Sequence, residues 1–89
     1  MKSIIEARGK KIVVTVHAML RFEERWILYK PRVPLQQPYF TLRRLLDIAH
    51  GDVPRHRECV GWTTDGWKFI IGKEGKKSLT LVTVIYEGS

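Results

Sequence analysis

A histidine and two arginines recur every four residues in the stretch VHAMLRFEERWILY, residues 16–29. At about 100° per residue, His17, Arg21 and Arg25 stack along one edge of a helix. An imidazole can move a proton near neutral pH, and guanidiniums bind phosphate oxygens. These types suit binding of a phosphodiester and proton transfer beside it. A simpler interpretation is a solvated helix edge, on which Glu24 pairs with Arg21 and stabilises the helix by roughly 0.3–0.5 kcal/mol.

The sequence contains no Gly-rich phosphate loop, no paired catalytic carboxylates and no nucleophile elbow. The remaining His, Arg, Lys, Thr and Tyr side chains suit cleavage of RNA without a metal. A base removes the 2′-hydroxyl proton, cations stabilise the charge on the phosphorus oxygens, and an acid protonates the leaving 5′-oxygen. The same residue types also suit a module that only holds a phosphate backbone.

The length and the net charge indicate the number of domains and the kind of partner. The 89 residues predict a single domain, 1–89, and 44% hydrophobic residues are enough for a packed core. The formal net charge of +7 favours polyanionic partners, with nucleic acid first among them. The alternative is a basic protein whose charge only prevents self-association.

The single cysteine, Cys59, excludes a disulfide within the chain, and its strand position predicts a small buried side chain. One Cys and three scattered His show no metal-ligand spacing, so we expect no metal and no cofactor. The N-terminal residues have charges within their apolar runs, which is typical neither of a signal peptide nor of a membrane span. We therefore expect a soluble, cytoplasmic protein without a membrane partner.

Two helices are predicted. The first covers residues 17–29, with Thr15 as N-cap and a stop before Pro31. The second covers residues 41–49, with Thr41 as N-cap. Both show an apolar stripe, so each is expected to pack on a sheet.

The strands are predicted from β-branched runs and from a period of two. Two short strands precede the first helix, and three more cover residues 58–64, 67–71 and 79–86. Asp65 and Gly66 form a two-residue hairpin turn between the first two of these. The pattern predicts an α+β domain, with two N-terminal helices packed on one face of an antiparallel sheet of three to five strands.

The sheet face turned away from the helices is the expected functional surface, because one side of an antiparallel sheet can remain open. Strict alternation places Thr83 on the same face as Leu79 and Leu81, and Tyr86 on the other face; which face is open stays undecided. Further residues are predicted to bind RNA, because they are basic or aromatic and stand in exposed segments: Lys68, Arg43, Arg44, Arg55, Arg57 and Tyr86.

Two stretches resemble a known family. The run VTVHAMLRFEERW is similar to the T-x-H-A-x-x-R-x-x-x-R opening of small bacterial and phage domains in the barnase–colicin–RelE grouping of ribonucleases. The ending TLVTVIYEG resembles the last strand of that grouping, where a Thr follows β-branched residues. The resemblance implies a RelE-like fold and catalytic roles for His17, Arg21, Arg25 and Thr83.

Members of this grouping typically cleave RNA without a metal, and many are toxins held by an antitoxin. The resemblance therefore implies RNA as substrate and an antitoxin or other protein inhibitor as a second partner. Our main hypothesis is an endoribonuclease in which His17 is the general acid or base, and Arg21, Arg25 and Lys68 stabilise the phosphorane charge. The alternative is a non-catalytic basic module that binds nucleic acid or a partner protein through the same face.

Overall fold

The computed structural model describes residues 3–75 and 78–88. Two helices and five strands make up an α+β domain. In chain order they are β1 (Ser3–Ala7), β2 (Lys10–Val14), α1 (Val16–Tyr29), α2 (Pro38–Ile48), β3 (Cys59–Thr64), β4 (Trp67–Gly72) and β5 (Leu79–Tyr86).

The five strands form one sheet in the order β1-β2-β5-β4-β3. Adjacent strands are antiparallel except β2 and β5, which are parallel. The sheet is therefore mixed, and the prediction of an antiparallel sheet was wrong, because β5 returns to β2 in the same direction after the helices and the β3–β4 hairpin. The helices are also not N-terminal, since β1 and β2 precede them.

Both helices contribute to a single core on one face of the sheet. The helix α1 packs along β5, while α2 packs on β1 and β3. The largest fully buried side chains are those of Trp62, Trp67, Phe22 and Phe69. The residues that alternate with these along the strands point to the other face of the sheet, which neither helix covers.

The start of α1 follows the prediction. The Ala18 N–H donates to Thr15 Oγ1 (3.1 Å), which confirms Thr15 as the N-cap. The Thr15 hydroxyl also donates to the carbonyl oxygen of Leu81 in β5 (3.1 Å). Thr15 therefore fixes the first turn of α1 against the middle of the sheet.

The start of α2 differs from the prediction. The helix begins at Pro38, after Gln37 in a left-handed conformation with φ of 50°. Proline is favourable at the first helical position because its φ is already helical and no N–H bond is lost there. Thr41 is thus inside the first turn, where its hydroxyl donates to the Gln36 carbonyl oxygen (3.1 Å) and does not cap the helix.

A β-bulge interrupts β5. Ile70 pairs with Thr83, but Ile71 pairs with Leu81, so Val82 has no opposite residue. The extra residue reverses the alternation of side chains. Strict alternation along β5 was therefore a wrong prediction: Leu79, Leu81 and Val84 are buried, whereas Thr83 and Ile85 face the uncovered side.

Neither helix in the described part of the chain is long and apolar enough to cross a membrane.

Candidate functional site

The residues of the two family-like stretches meet at the junction of β2, α1 and β5. His17 lies in the first turn of α1, and its side chain is exposed. Its Nε2 atom is 3.4 Å from Thr83 Oγ1, at the outer limit of a hydrogen bond. Two side chains 66 positions apart in the sequence thus lie side by side.

The bulge at Val82 makes this contact feasible. Without the extra residue, Thr83 would share the face of Leu81 and point into the core. With it, Thr83 is half-buried on the uncovered face, next to the helix start fixed by Thr15. Bulges commonly re-aim a side chain beside a functional site in this way.

The two arginines of α1 continue the same helix edge. Arg21 and Arg25 follow His17 over about 12 Å of helix, given a rise of 1.5 Å per residue. Arg21 Nη1 is 2.8 Å from Glu24 Oε2, and Arg25 Nη1 is 3.8 Å from the same atom. The pairing of Glu24 with Arg21 is therefore confirmed, and this carboxylate compensates part of the positive charge beside His17.

A cavity of about 560 Å³ opens beside His17 on the uncovered face. It follows the parallel strands β2 and β5 and reaches the turn between β4 and β5. Its lining consists of Val13, Thr15, His17, Glu74, Gly75, Ser78, Thr80 and Val82. The His17 imidazole is therefore accessible from this cavity.

Lys68 lies on the same uncovered face. It pairs with Ile85, two positions from the Ile70–Thr83 pair, and its buried neighbours Trp67 and Phe69 face the core. Its Nζ atom is 3.6 Å from Glu87 Oε1, an exposed ion pair that contributes little to stability. The structure thus places Lys68 on the same sheet face as Thr83.

Tyr86 lies on the helix-covered face. Its ring stacks on that of Tyr29 at 4.9 Å between centroids, and it meets Trp67 edge-on at 4.9 Å. The side chains of Tyr86 and Thr83 therefore lie on opposite faces of the sheet, as the three-residue spacing predicts, and Tyr86 does not contact His17.

The basic residues of α2 are not brought to His17 either. The Arg43 Nε–H donates to the Glu6 carbonyl oxygen (2.9 Å), and the Arg44 guanidinium lies over the Phe40 ring, 5.9 Å from its centroid. Both side chains are exposed on the side of the sheet that α2 covers. Their contacts are with the helix and with β1.

Arg55 and Arg57 belong to the loop before β3. The Arg55 N–H donates to Glu58 Oε1 (3.2 Å), and the Arg57 N–H donates to the Lys73 carbonyl oxygen (2.7 Å). This loop lies at the end of the sheet where β3 and β5 begin. Arg57 lines a second cavity there, and Cys59, predicted to be buried, is exposed within it.

Several residues of this surface were missed by sequence reasoning: Glu58, Gly72, Glu74, Thr80 and Val82. Thr80 could have been identified from the alternation along β5, because its side chain is on the opposite strand face from those of Leu79 and Leu81. Val82 had no signal, because a bulge is defined by pairing between strands and not by residue type.

Searches against protein-family models, curated proteins and solved structures find no match for this chain. In residues 3–75 and 78–88, no three His, Cys, Asp or Glu side chains gather as metal ligands. The fold and the site together define a small α+β domain whose uncovered sheet face has a His–Thr pair beside an arginine-bearing helix edge.

Proposed function

We propose that this chain is a metal-independent endoribonuclease of RelE-like type. One observation carries the proposal: the side chains of His17 and Thr83, which belong to the two separate stretches that resemble the family, are in contact. The distance from His17 Nε2 to Thr83 Oγ1 is 3.4 Å. The proposal draws further support from the cavity beside them and from the net charge of +7.

In this reaction, His17 accepts the proton of a 2′-hydroxyl group. The 2′-oxygen forms a bond to phosphorus while the bond from phosphorus to the 5′-oxygen breaks, and the proton accepted by His17 passes through water to the leaving 5′-oxygen. The products are a 2′,3′-cyclic phosphate and a 5′-hydroxyl end. A positioned general base of this kind contributes about 10²–10⁴-fold to the rate.

The neighbouring side chains have complementary roles. The Thr83 hydroxyl, next to His17 Nε2, orients the imidazole or the substrate hydroxyl. Arg21 and Arg25 bind the phosphate oxygens and stabilise the charge that builds on them, and Lys68 assists from the same sheet face. Glu24 must release Arg21, at least in part, for this binding to occur.

The test is incubation of the purified protein with total RNA in EDTA, followed by analysis of the RNA ends. We expect discrete cleavage with cyclic phosphate ends. His17→Ala should fold normally and cleave roughly 10²-fold or more slowly. His50→Ala is the matched control, because it removes an exposed histidine beside the edge strand β3, which β4 separates from β5. Full cleavage by a folded His17→Ala variant would refute the assignment.

One observation favours a second function, a non-catalytic basic module that binds nucleic acid or a partner protein. In the described part of the chain, the hydrogen-bonding side chain at the His17 ring is a threonine, which does not titrate near neutral pH. Cleavage requires both an acid and a base. Intact RNA with a gel shift that weakens steeply between 50 and 200 mM salt, as phosphate binding requires, would favour this module.

A further inference from the structure

The solvent-facing side of each helix contains a row of exposed apolar side chains. On α1 the row consists of Val16, Leu20 and Ile27, and each of these side chains is more than half exposed. On α2 it consists of Phe40 and Ile48, which are also more than half exposed. Single apolar residues are common on protein surfaces, whereas a contiguous apolar patch is typical of an interaction site.

The apolar row of α1 is separate from the edge that contains His17. At about 100° per residue, Leu20 and Ile27 lie within about 20° of each other around the helix, and His17 lies about 60° from Leu20. A partner can therefore cover the row while His17 remains accessible. Binding of such a partner does not depend on the proposed function.

Each row also contains one charged residue. Glu23 lies between Leu20 and Ile27, and Arg44 lies between Phe40 and Ile48. Within residues 3–75 and 78–88, no side chain of opposite charge comes within 4 Å of either charge. The Arg44 guanidinium lies over the Phe40 ring instead, 5.9 Å from its centroid. One helix thus presents a carboxylate without an ion pair, and the other presents a guanidinium without one.

The two rows have nearly the same spacing. With a rise of 1.5 Å per residue, Leu20 and Ile27 are about 10.5 Å apart along α1, and Phe40 and Ile48 are about 12 Å apart along α2. Both rows have the order apolar, charged, apolar. When the two rows are packed side by side, the opposite charges meet in the middle and apolar side chains meet at both ends.

A groove runs beside the row of α2. A cavity of about 330 Å³ lies between this helix and the turn of the β3–β4 hairpin. Its walls are formed by Phe40, Thr41, Arg44, Leu45, Ile48 and Asp65. In the commonest contacts between helices, the side-chain ridge of one helix packs into such a groove of the other.

We propose that two copies of this chain bind each other through these faces, with α1 of one copy on α2 of the other. Both helices cover the same face of the sheet, so a two-fold rotation brings both pairs of faces together in a closed dimer. Glu23 of each copy then pairs with Arg44 of its partner. A second copy is the expected occupant because the chain itself supplies both complementary faces.

Sedimentation equilibrium measures the association without RNA. A salt concentration of about 150 mM screens the repulsion between two copies of charge +7, while charges in direct contact are screened less. We expect the mass to rise from that of a monomer towards that of a dimer between about 1 µM and 1 mM, the range of a small transient interface. A monomer at all these concentrations would overturn the proposal.

A charge exchange tests the pairing of Glu23 with Arg44. Glu23→Arg and Arg44→Glu should each weaken association at least about tenfold, because each places like charges opposite one another. The double variant restores opposite charges and should recover most of the loss. The controls Glu6→Arg and Arg43→Glu make the same charge changes at exposed positions outside both rows. Equal losses in the controls, or no recovery in the double variant, would contradict the pairing.

A mixing experiment tests which faces meet. Leu20→Lys blocks the α1 row and Ile48→Lys blocks the α2 row, so each variant alone should be a monomer. Unlabelled Ile48→Lys protein is then added to ¹⁵N-labelled Leu20→Lys protein, which leaves one intact α1 row and one intact α2 row. We expect NMR shifts in the labelled chain at residues of α2 and not of α1. Self-association of either variant alone, shifts on α1, or no shifts would overturn the proposal.

Discussion

The two faces of the sheet differ although the same strands build both. In β4, Trp67, Phe69 and Ile71 point into the core, while Lys68, Ile70 and Gly72 point to the uncovered side. The first set is large and apolar, and the second includes a cation and a residue without a side chain. Alternate positions of one strand therefore build the core on one face and, under the proposed function, the binding surface on the other.

The covered face also positions the uncovered one. The Trp67 ring lies 5.0 Å from that of Phe22 and 6.0 Å from that of Trp26, centroid to centroid. These contacts hold α1 against β4, and the Tyr29 ring, stacked on that of Tyr86 at 4.9 Å, holds it against β5. Since His17 is at the start of α1 and Thr83 is in β5, the distance between them depends on aromatic packing that neither residue takes part in.

The strongest test of this difference uses two adjacent positions of β4. Phe69→Ala removes a fully buried ring from the covered face and should lower the free energy of unfolding by about 3–5 kcal/mol. Ile70→Ala truncates a half-buried side chain on the uncovered face and should cost about 1 kcal/mol or less. Urea denaturation of both variants measures the two values. Similar losses at both positions would contradict the assignment of the faces.

A smaller effect is expected at Arg57, which has a left-handed backbone with φ of 62°. Glycine adopts this conformation without strain, whereas alanine keeps the steric strain because it has a Cβ atom. Arg57→Gly should therefore be more stable than Arg57→Ala by roughly 0.5–1 kcal/mol. Both variants lack the guanidinium, so both should bind RNA equally weakly. A difference in RNA affinity between them would show that the loop conformation, and not the cation, determines binding.

The smallest effect is expected at Glu24, which pairs with Arg21 and lies close to Arg25. Under the proposed function, its carboxylate competes with phosphate for these two arginines. Glu24→Gln should raise RNA affinity roughly two- to fivefold at low salt, the scale of an exposed ion pair. Glu23→Gln changes the net charge equally one position away and serves as the control. Fluorescence anisotropy with a labelled RNA measures both. An equal gain in the two variants would mean that only net charge matters.

Local signals explain how much of this fold was predictable. Thr15 ahead of the apolar period and Pro31 after it located α1, because capping and proline sterics act within a few residues. The Asp65-Gly66 turn located the β3–β4 hairpin for the same reason. Alternation within one unbroken strand also placed Lys68 and Phe69 on opposite faces, although it did not decide which of the two faces the core.

Two features that the sequence did not predict are set by pairing between distant residues. The bulge at Val82 decides which way Thr83 points, and the parallel register of Ile12 with Leu79 makes the sheet mixed. Neither leaves a trace in neighbouring residue types. The sequence thus proposes a site made of His17, Arg21, Arg25 and Thr83, whereas the contact between His17 and Thr83 depends on a bulge that it does not predict.

The central place of β5 in the sheet has a consequence for protein synthesis. The ribosome releases residues 79–86 after every strand that pairs with them, so the nascent chain has only two separate hairpins, β1–β2 and β3–β4, until β5 emerges. The sheet is then completed when β5 pairs with β2, which requires contacts between residues far apart in sequence. Such contacts form slowly. The His17–Thr83 pair forms in that same step. A nascent chain that stops before β5 therefore has neither the complete core nor the His17–Thr83 pair.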